Sequence, residues 1–148
     1  MSREKWLPPN PIPEIKERPT PENSRIWLMV IDTDGDPLDF EYSGLDQNGP
    51  SSAEMSVPFL TYRKMTRIFT DVGRRINNIT ITDAMPILEE ALIFIRGSNT
   101  DASCPDYDER TRNSYRGSVW ALYELCRLGC YHRDKLKMDD PVIKIRRT

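Results

Sequence analysis

The stretch that decides the fold is Arg25-Ile-Trp-Leu-Met-Val-Ile31, followed by Asp32-Thr-Asp-Gly-Asp-Pro37 and then Leu38-Asp-Phe-Glu-Tyr42. Its first part is an apolar run, typical of a strand. In its last part apolar residues alternate with acidic ones, which predicts a strand with one solvated face. Asp34-Gly35 between them is a turn signal. We therefore predict a β-hairpin over residues 25–42.

The aspartates of this turn also suggest a calcium loop. Asp32, Asp34 and Asp36 stand at alternate positions, as calcium ligands do in an EF-hand. Such a loop requires glycine at its sixth position and a bidentate glutamate at its twelfth, and here Pro37 and Ser43 occupy those places. We expect no calcium site.

Residues 1–24 predict an extended, proline-rich arm. Six of the twelve prolines lie between Pro8 and Pro21. Because proline fixes φ and removes a backbone donor, neither a helix nor a sheet runs through this segment. A solvated spacer and a linear motif that a partner binds in polyproline conformation both fit this composition. The candidate self-association residues are Trp6, Leu7, Pro8, Pro9, Ile12 and Ile15.

After a polar loop over residues 44–56, the chain predicts an amphipathic helix over residues 59–78. Its apolar residues are spaced three and four apart: Tyr62, Met65, Phe69, Val72 and Ile76. Its other faces carry five cations: Arg63, Lys64, Arg67, Arg74 and Arg75. This basic face is either a solvated surface or a site for anionic lipid headgroups or phosphates.

The remaining elements complete an α+β domain. Residues 79–82 predict a short strand, and Asp83 predicts the cap of a largely buried second helix that Gly97 closes. A long polar stretch over residues 98–113 precedes a third helix from about Ser114, and residues 140–148 alternate as an edge strand does. We therefore predict a small single α+β domain over residues 25–148, with a short antiparallel sheet and about three helices, preceded by the arm.

The chain offers little for catalysis or metal binding. Four residues with zinc-ligand chemistry lie in the last third: Cys104, Cys126, Cys130 and His132. Their spacing lacks the two close pairs of a structural zinc site, which favours buried thiols. No nucleophile elbow or phosphate-binding glycine loop is present. We expect no catalytic residue, no metal and no cofactor.

Charge is distributed unevenly along the chain. Residues 1–57 hold 11 acidic and 5 basic side chains, whereas residues 58–148 hold 12 acidic and 16 basic. A net charge of −2 argues against bulk nucleic-acid binding. No apolar run approaches the roughly 18 residues that a bilayer span needs, and no signal peptide is evident, so we expect a cytoplasmic protein. The acidic arm and hairpin of one copy can dock on the basic helix of the next.

Two segments of the chain carry a resemblance to a known family. The first is Trp6-Leu-Pro-Pro-Asn-Pro-Ile-Pro-Glu-Ile-Lys-Glu17, which resembles the proline-rich arm of rhabdovirus matrix proteins. The order from Pro58-Phe-Leu-Thr-Tyr62 to Ala91-Leu-Ile-Phe-Ile-Arg-Gly-Ser-Asn99 is similar to the folded domain of that family. The resemblance implies a protein under a viral envelope that self-associates through its arm, condenses the nucleocapsid and drives budding. Unlike the family, which is basic and often carries Pro-Pro-x-Tyr, this chain is slightly acidic and follows Pro8-Pro9 with Asn10.

The sequence thus predicts a non-enzymatic, self-associating viral structural protein of matrix type. It would bridge the inner membrane surface and the nucleocapsid, in the virion or at the inner face of the membrane. Its expected partners are further copies of itself, the nucleocapsid, an anionic membrane surface and host proteins that read the arm, with RNA less favoured. The alternative is a small RNA-binding or host-factor-binding accessory protein that uses the basic face of the helix 59–78.

Overall fold

The computed structural model describes residues 24–44, 50–97 and 109–147. In chain order its elements are β1 (Arg25–Ile31), β2 (Glu54–Pro58), α1 (Phe59–Thr70), α2 (Ile81–Gly97), α3 (Glu109–Leu136) and β3 (Val142–Arg147). The three strands form one antiparallel sheet in the order β2-β1-β3. The predicted α+β class, with a short antiparallel sheet and three helices, is confirmed. The self-association residues of the arm lie outside the described residues.

β1 is the central strand because one of its faces is entirely apolar. Ile26, Leu28 and Val30 alternate along the strand and are fully buried. The register sets Val57 opposite Ile26 and Ile143 opposite Val30, and residues that lie opposite one another share a face of the sheet. The helices cover this face and join it in a single core.

The predicted hairpin is correct in its turn and wrong in its second strand. Gly35 adopts a φ of 88°, which glycine tolerates without strain. Beyond the turn, however, the chain forms only isolated bridges, Ile31 with Pro37 and Asp39 with Ser52. The strand that pairs with β1 on this side is β2, which begins inside the segment predicted as a polar loop.

A turn directly after Phe40 explains why the second strand is absent. Leu38 and Phe40 both lie in the core, at 2% and 0% exposure. Directly after Phe40 the chain turns, with the Ser43 hydroxyl donating to the Phe40 carbonyl at 2.9 Å and Gly44 in the left-handed region. The alternation of residues 38–42 therefore anchors a turn to the core instead of forming a strand.

α1 ends earlier than its periodicity predicts. Gly73 adopts a φ of 75°, a left-handed conformation that terminates helices. The helix stops at Thr70, and Val72 is 57% exposed instead of continuing the buried stripe. The prediction of a helix over residues 59–78 is wrong in its last third, and Arg74 and Arg75 do not belong to a helical face.

The segment before α2 lies along β3. The predicted strand over residues 79–82 reduces to one bridge, between Thr80 and Val142. The Asp83 N–H donates to Thr80 Oγ1 at 3.3 Å, so Thr80 rather than Asp83 supplies the capping oxygen of α2. The Asn78 N–H donates to the Ile143 carbonyl at 2.7 Å. The predicted strand in the tail is confirmed, and this segment covers its outer edge.

The two long helices also differ from their predictions. α2 is not largely buried, because Ile93 is 71% and Phe94 53% exposed. α3 begins at Glu109, before the expected Ser114. The polar stretch predicted as a loop therefore includes the first turn of a helix.

We predict that a large side chain at Gly129 in α3 destabilises the protein. A Cβ there would lie 3.0 Å from Ile81 Cδ1 and 3.4 Å from Val30 Cγ1, inside the core. Gly129→Leu should destabilise the protein by about 1–3 kcal/mol in urea unfolding, the usual cost of overpacking. The matched control is Gly117→Leu, because nothing lies within 4 Å of that site and leucine favours helices over glycine by up to about 1 kcal/mol. Equal midpoints for the two variants would contradict the close packing at Gly129.

Candidate functional site

An open groove of about 470 Å³ lies between α1 and α2. Its apolar lining consists of Ile68, Val72, Pro86, Ile87, Ala91, Phe94 and Tyr115. Its charged lining consists of Lys64, Arg67, Asp71 and Glu90. The groove therefore combines an apolar floor with a rim that carries both signs of charge.

Local features of the two helices create this groove. Val72 reaches the surface because α1 has already ended, and Phe94 lies on the exposed part of α2. Pro86 lies inside α2, where it lacks the N–H that other helical residues donate to the preceding turn. The apolar side chains of Val72 and Phe94 are thus in contact with solvent. Pockets of this size that are mostly apolar with a few polar groups are typical ligand sites.

The five cations predicted as one basic face lie in different surroundings. Lys64 and Arg67 line the groove. Arg74 donates to the Asp83 carboxylate at 3.1 Å. Arg63 and Arg75 are exposed, the first on α1 and the second beyond it. The structure therefore brings only two of the five predicted cations to the groove.

Sequence reasoning missed a second group of cations. Arg146 and Arg147, at the end of β3, lie over aromatic rings of β1 and α1: the Arg146 Cζ is 5.5 Å from the Trp27 ring centroid, and the Arg147 Cζ is 5.4 Å from that of Phe59. The only signal in the sequence was the alternating tail, which predicted a strand but not its neighbours. Strand pairing brings these arginines to the aromatic residues.

The candidate zinc ligands are mostly core residues. Cys126 is completely buried, and burial raises the pKa of its thiol far above the ordinary range. Burial also raises the pKa of the partly buried Cys130. Cys104 lies outside the described residues. Across residues 24–44, 50–97 and 109–147, no three His, Cys, Asp or Glu side chains are placed to hold a metal ion.

The aspartates of the predicted turn organise that turn. Oδ1 of Asp32 accepts the N–H of Asp34 at 2.9 Å and the N–H of Asp36 at 3.0 Å. A carboxylate that bonds backbone donors of its own loop in this way is a common turn device. The structure thus assigns the Asp32 carboxylate a local role in holding the turn.

His132 is the one histidine of the chain and lies in the core at 4% exposure. Its ring packs edge-on against Phe40, with 5.9 Å between centroids. Its Nδ1 makes no hydrogen bond to any residue that the structure describes. Burial lowers the pKa of His132, and the nearby Asp39 and Asp32 oppose that shift.

Comparisons with other proteins add no assignment. No protein-family model, no curated protein and no solved structure matches this chain. Of the helices within the described ranges, none has the length and apolar character that crossing a membrane requires.

We predict that His132 titrates below its ordinary pKa of 6.5. Because the folded pKa is depressed, the unfolded chain binds more protons between the two pKa values. The part of the unfolding free energy that depends on neutral His132 should be fully present above about pH 6.5. It should decrease as the pH drops through this window. A proton NMR titration follows this single imidazole directly. His132→Leu should lose this part of the pH dependence. A midpoint at or above 6.5 would contradict the prediction.

Proposed function

We propose that this protein is a non-enzymatic, self-associating assembly protein of matrix type, in which the arm of one copy binds the groove between α1 and α2 of the next. The observation that carries the proposal is the exposed apolar floor of that groove. The chain itself holds a suitable occupant, because residues 1–24 combine apolar side chains with prolines.

The chemistry of the arm matches the floor of the groove. Segments in polyproline conformation dock into apolar, aromatic-lined grooves, and they lose little entropy because proline already restricts them. The groove has two aromatic residues, Phe94 and Tyr115. The arm has Trp6 and Leu7, and further along Ile12 and Ile15, to place against them. A volume of about 470 Å³ accommodates several such side chains.

The charges of the arm also match the rim. Residues 14–18 of the arm hold two glutamates, one lysine and one arginine. The rim holds two cations, Lys64 and Arg67, and two carboxylates, Asp71 and Glu90. Complementary pairs fix the register of a bound segment more than they add affinity. A segment of mixed charge therefore suits this groove better than a purely acidic or basic one.

The start of the described chain defines the reach of the arm. The Ser24 carbonyl accepts the Phe59 N–H at 3.0 Å, so Ser24, to which the arm is joined, lies at the beginning of α1. Ile15 precedes Ser24 by nine residues, which would span about 28 Å if they adopted polyproline conformation. We propose that the arm binds the groove of an adjacent copy. Contacts of this head-to-tail kind need not close and can extend into an assembly.

Charge separation supports the same arrangement. Residues 26–62 hold seven acidic side chains and no basic one, and most of those near the first turn are exposed. Arg63 and Arg67, on α1, are exposed as well. An acidic surface on one copy is attracted to a basic surface on another.

We extend the proposal to a peripheral place on an anionic membrane, to nucleocapsid contacts in virion assembly and budding, and to host proteins that bind the arm.

We predict that Phe94→Ser reduces self-association of the full chain. Phe94 lines the groove and is 53% exposed, so the substitution removes an anchor without opening the core. The mean mass in sedimentation should fall toward that of the monomer, and the melting temperature should change little. The matched control is Ile93→Ser, at the neighbouring residue, which is 71% exposed and does not line the groove. The idea fails if both variants sediment alike.

Complementation tests whether the arm binds another copy or its own domain. A Trp6→Ala, Leu7→Ala variant keeps the groove and loses the anchors of the arm, whereas Phe94→Ser keeps the arm and weakens the groove. Each alone should be mostly monomeric. An equimolar mixture should form dimers, because one intact arm meets one intact groove. A mixture that stays monomeric would show that the arm does not bind the groove, whereas a monomeric wild type together with a dimeric mixture would show that the arm occupies its own groove.

A further inference from the structure

The end of the sheet where β1 begins and β3 ends carries an arginine–aromatic cluster. Its members are Arg25, Trp27, Phe59, Arg63, Arg146 and Arg147. In the register of the sheet, Trp27 lies opposite Arg146 and Ile26 lies opposite Arg147. Since consecutive strand residues point to opposite faces, Arg146 and Arg147 lie on opposite faces at this end of the sheet.

Each arginine of β3 lies over a ring. The guanidinium of Arg146 is 5.5 Å from the Trp27 ring centroid, and that of Arg147 is 5.4 Å from the Phe59 centroid. Arg63 lies four residues after Phe59, on the same side of α1. Arg25 donates to the Ser56 carbonyl at 3.0 Å and to its hydroxyl at 3.2 Å, which fixes its guanidinium against β2.

This cluster is exposed and strongly cationic. All four arginines are exposed, while the two rings are partly buried. Among residues that the structure describes, no carboxylate pairs with Arg146 or Arg147 within 4 Å. By contrast, Arg127, whose guanidinium also lies over a ring, pairs with Glu124. The guanidiniums of β3 are therefore not neutralised within the described part of the chain.

We propose that the arginine–aromatic cluster binds single-stranded nucleic acid. Guanidiniums pair with phosphate oxygens in a fork geometry, and both aromatic rings and guanidinium planes stack with bases. A polynucleotide strand alternates these two chemistries, phosphate and π-face, as the cluster does. A membrane surface fits less well, because the rings are held partly buried beneath the guanidiniums and do not protrude.

This site differs from the groove and does not depend on arm binding. Nor does it coincide with the basic face that the sequence predicted, since it shares only Arg63 with that set. β3 contributes two of its cations, and β1 and α1 contribute the rings. A net charge of −2 does not oppose it, because local fields near a surface depend on the charges within about 10 Å at 0.1 M salt.

The test is a fluorescence anisotropy titration of the full chain with a labelled twelve-nucleotide oligouridylate at several salt concentrations. Wild-type affinity should fall with salt. The double variant Arg146→Gln, Arg147→Gln should bind at least fivefold more weakly. Its log–log salt slope should be smaller in magnitude by about 1.4, since each lost phosphate contact removes about 0.7 on single strands. The charge-matched control, Arg75→Gln with Arg127→Gln, should keep the wild-type slope.

A further variant and further ligands separate the alternatives. Arg146→Lys with Arg147→Lys retains the charge and loses the planar guanidiniums. This variant should keep most of the salt slope and still bind more weakly than the wild type. It also provides a second measurement if the glutamine variant does not fold. An oligothymidylate should bind comparably if phosphates and bases suffice. The proposal is overturned if the glutamine variant binds oligouridylate like the wild type. It is also overturned if these arginines bind anionic phosphatidylserine vesicles but no oligonucleotide.

Discussion

The close approach of α3 to the sheet is the constraint on which the rest of the structure depends. Gly129 lacks a side chain, and the space that a Cβ would need is taken by Ile81 at 3.0 Å and Val30 at 3.4 Å. Leu38 lies next to the same point, at 3.5 Å. The packing around Gly129 thus joins α3, β1, the start of α2 and the segment after the first turn. Because interiors are close-packed, none of these elements can shift alone.

With α3 and α2 held in this way, α1 is left to form one wall of an open groove. The early end of α1 leaves Val72 at the surface, and the exposed end of α2 adds Phe94. An unfilled apolar groove is unfavourable in water, so its occupation by an apolar segment is favoured by the hydrophobic effect. The same element therefore helps to build the core and presents the surface that we propose for self-association.

The two proposed binding surfaces lie toward opposite ends of α1. Phe59 and Arg63, at its start, belong to the arginine–aromatic cluster, whereas Ile68 and Val72, at and beyond its end, line the groove. Ser24, where the described part of the chain begins, lies beside Phe59. Both surfaces are thus accessible on one small domain, which suits a protein that binds its own copies and a second, anionic partner. Neither surface requires catalytic chemistry.

The sequence alone determined β1, from its continuous apolar run, and most of α1, α2 and the strand in the tail, from apolar residues at the spacing of each element. It failed at residues 38–42 and 72–76, where the apolar residues fit a strand or a helix but a left-handed glycine reverses the chain. It also predicted a basic helix face, of which the structure brings only Lys64 and Arg67 to the groove. Only the tertiary structure decided that Arg146 and Arg147 meet Trp27 and Phe59, since the pairing of strands far apart in sequence depends on the packing of the whole core.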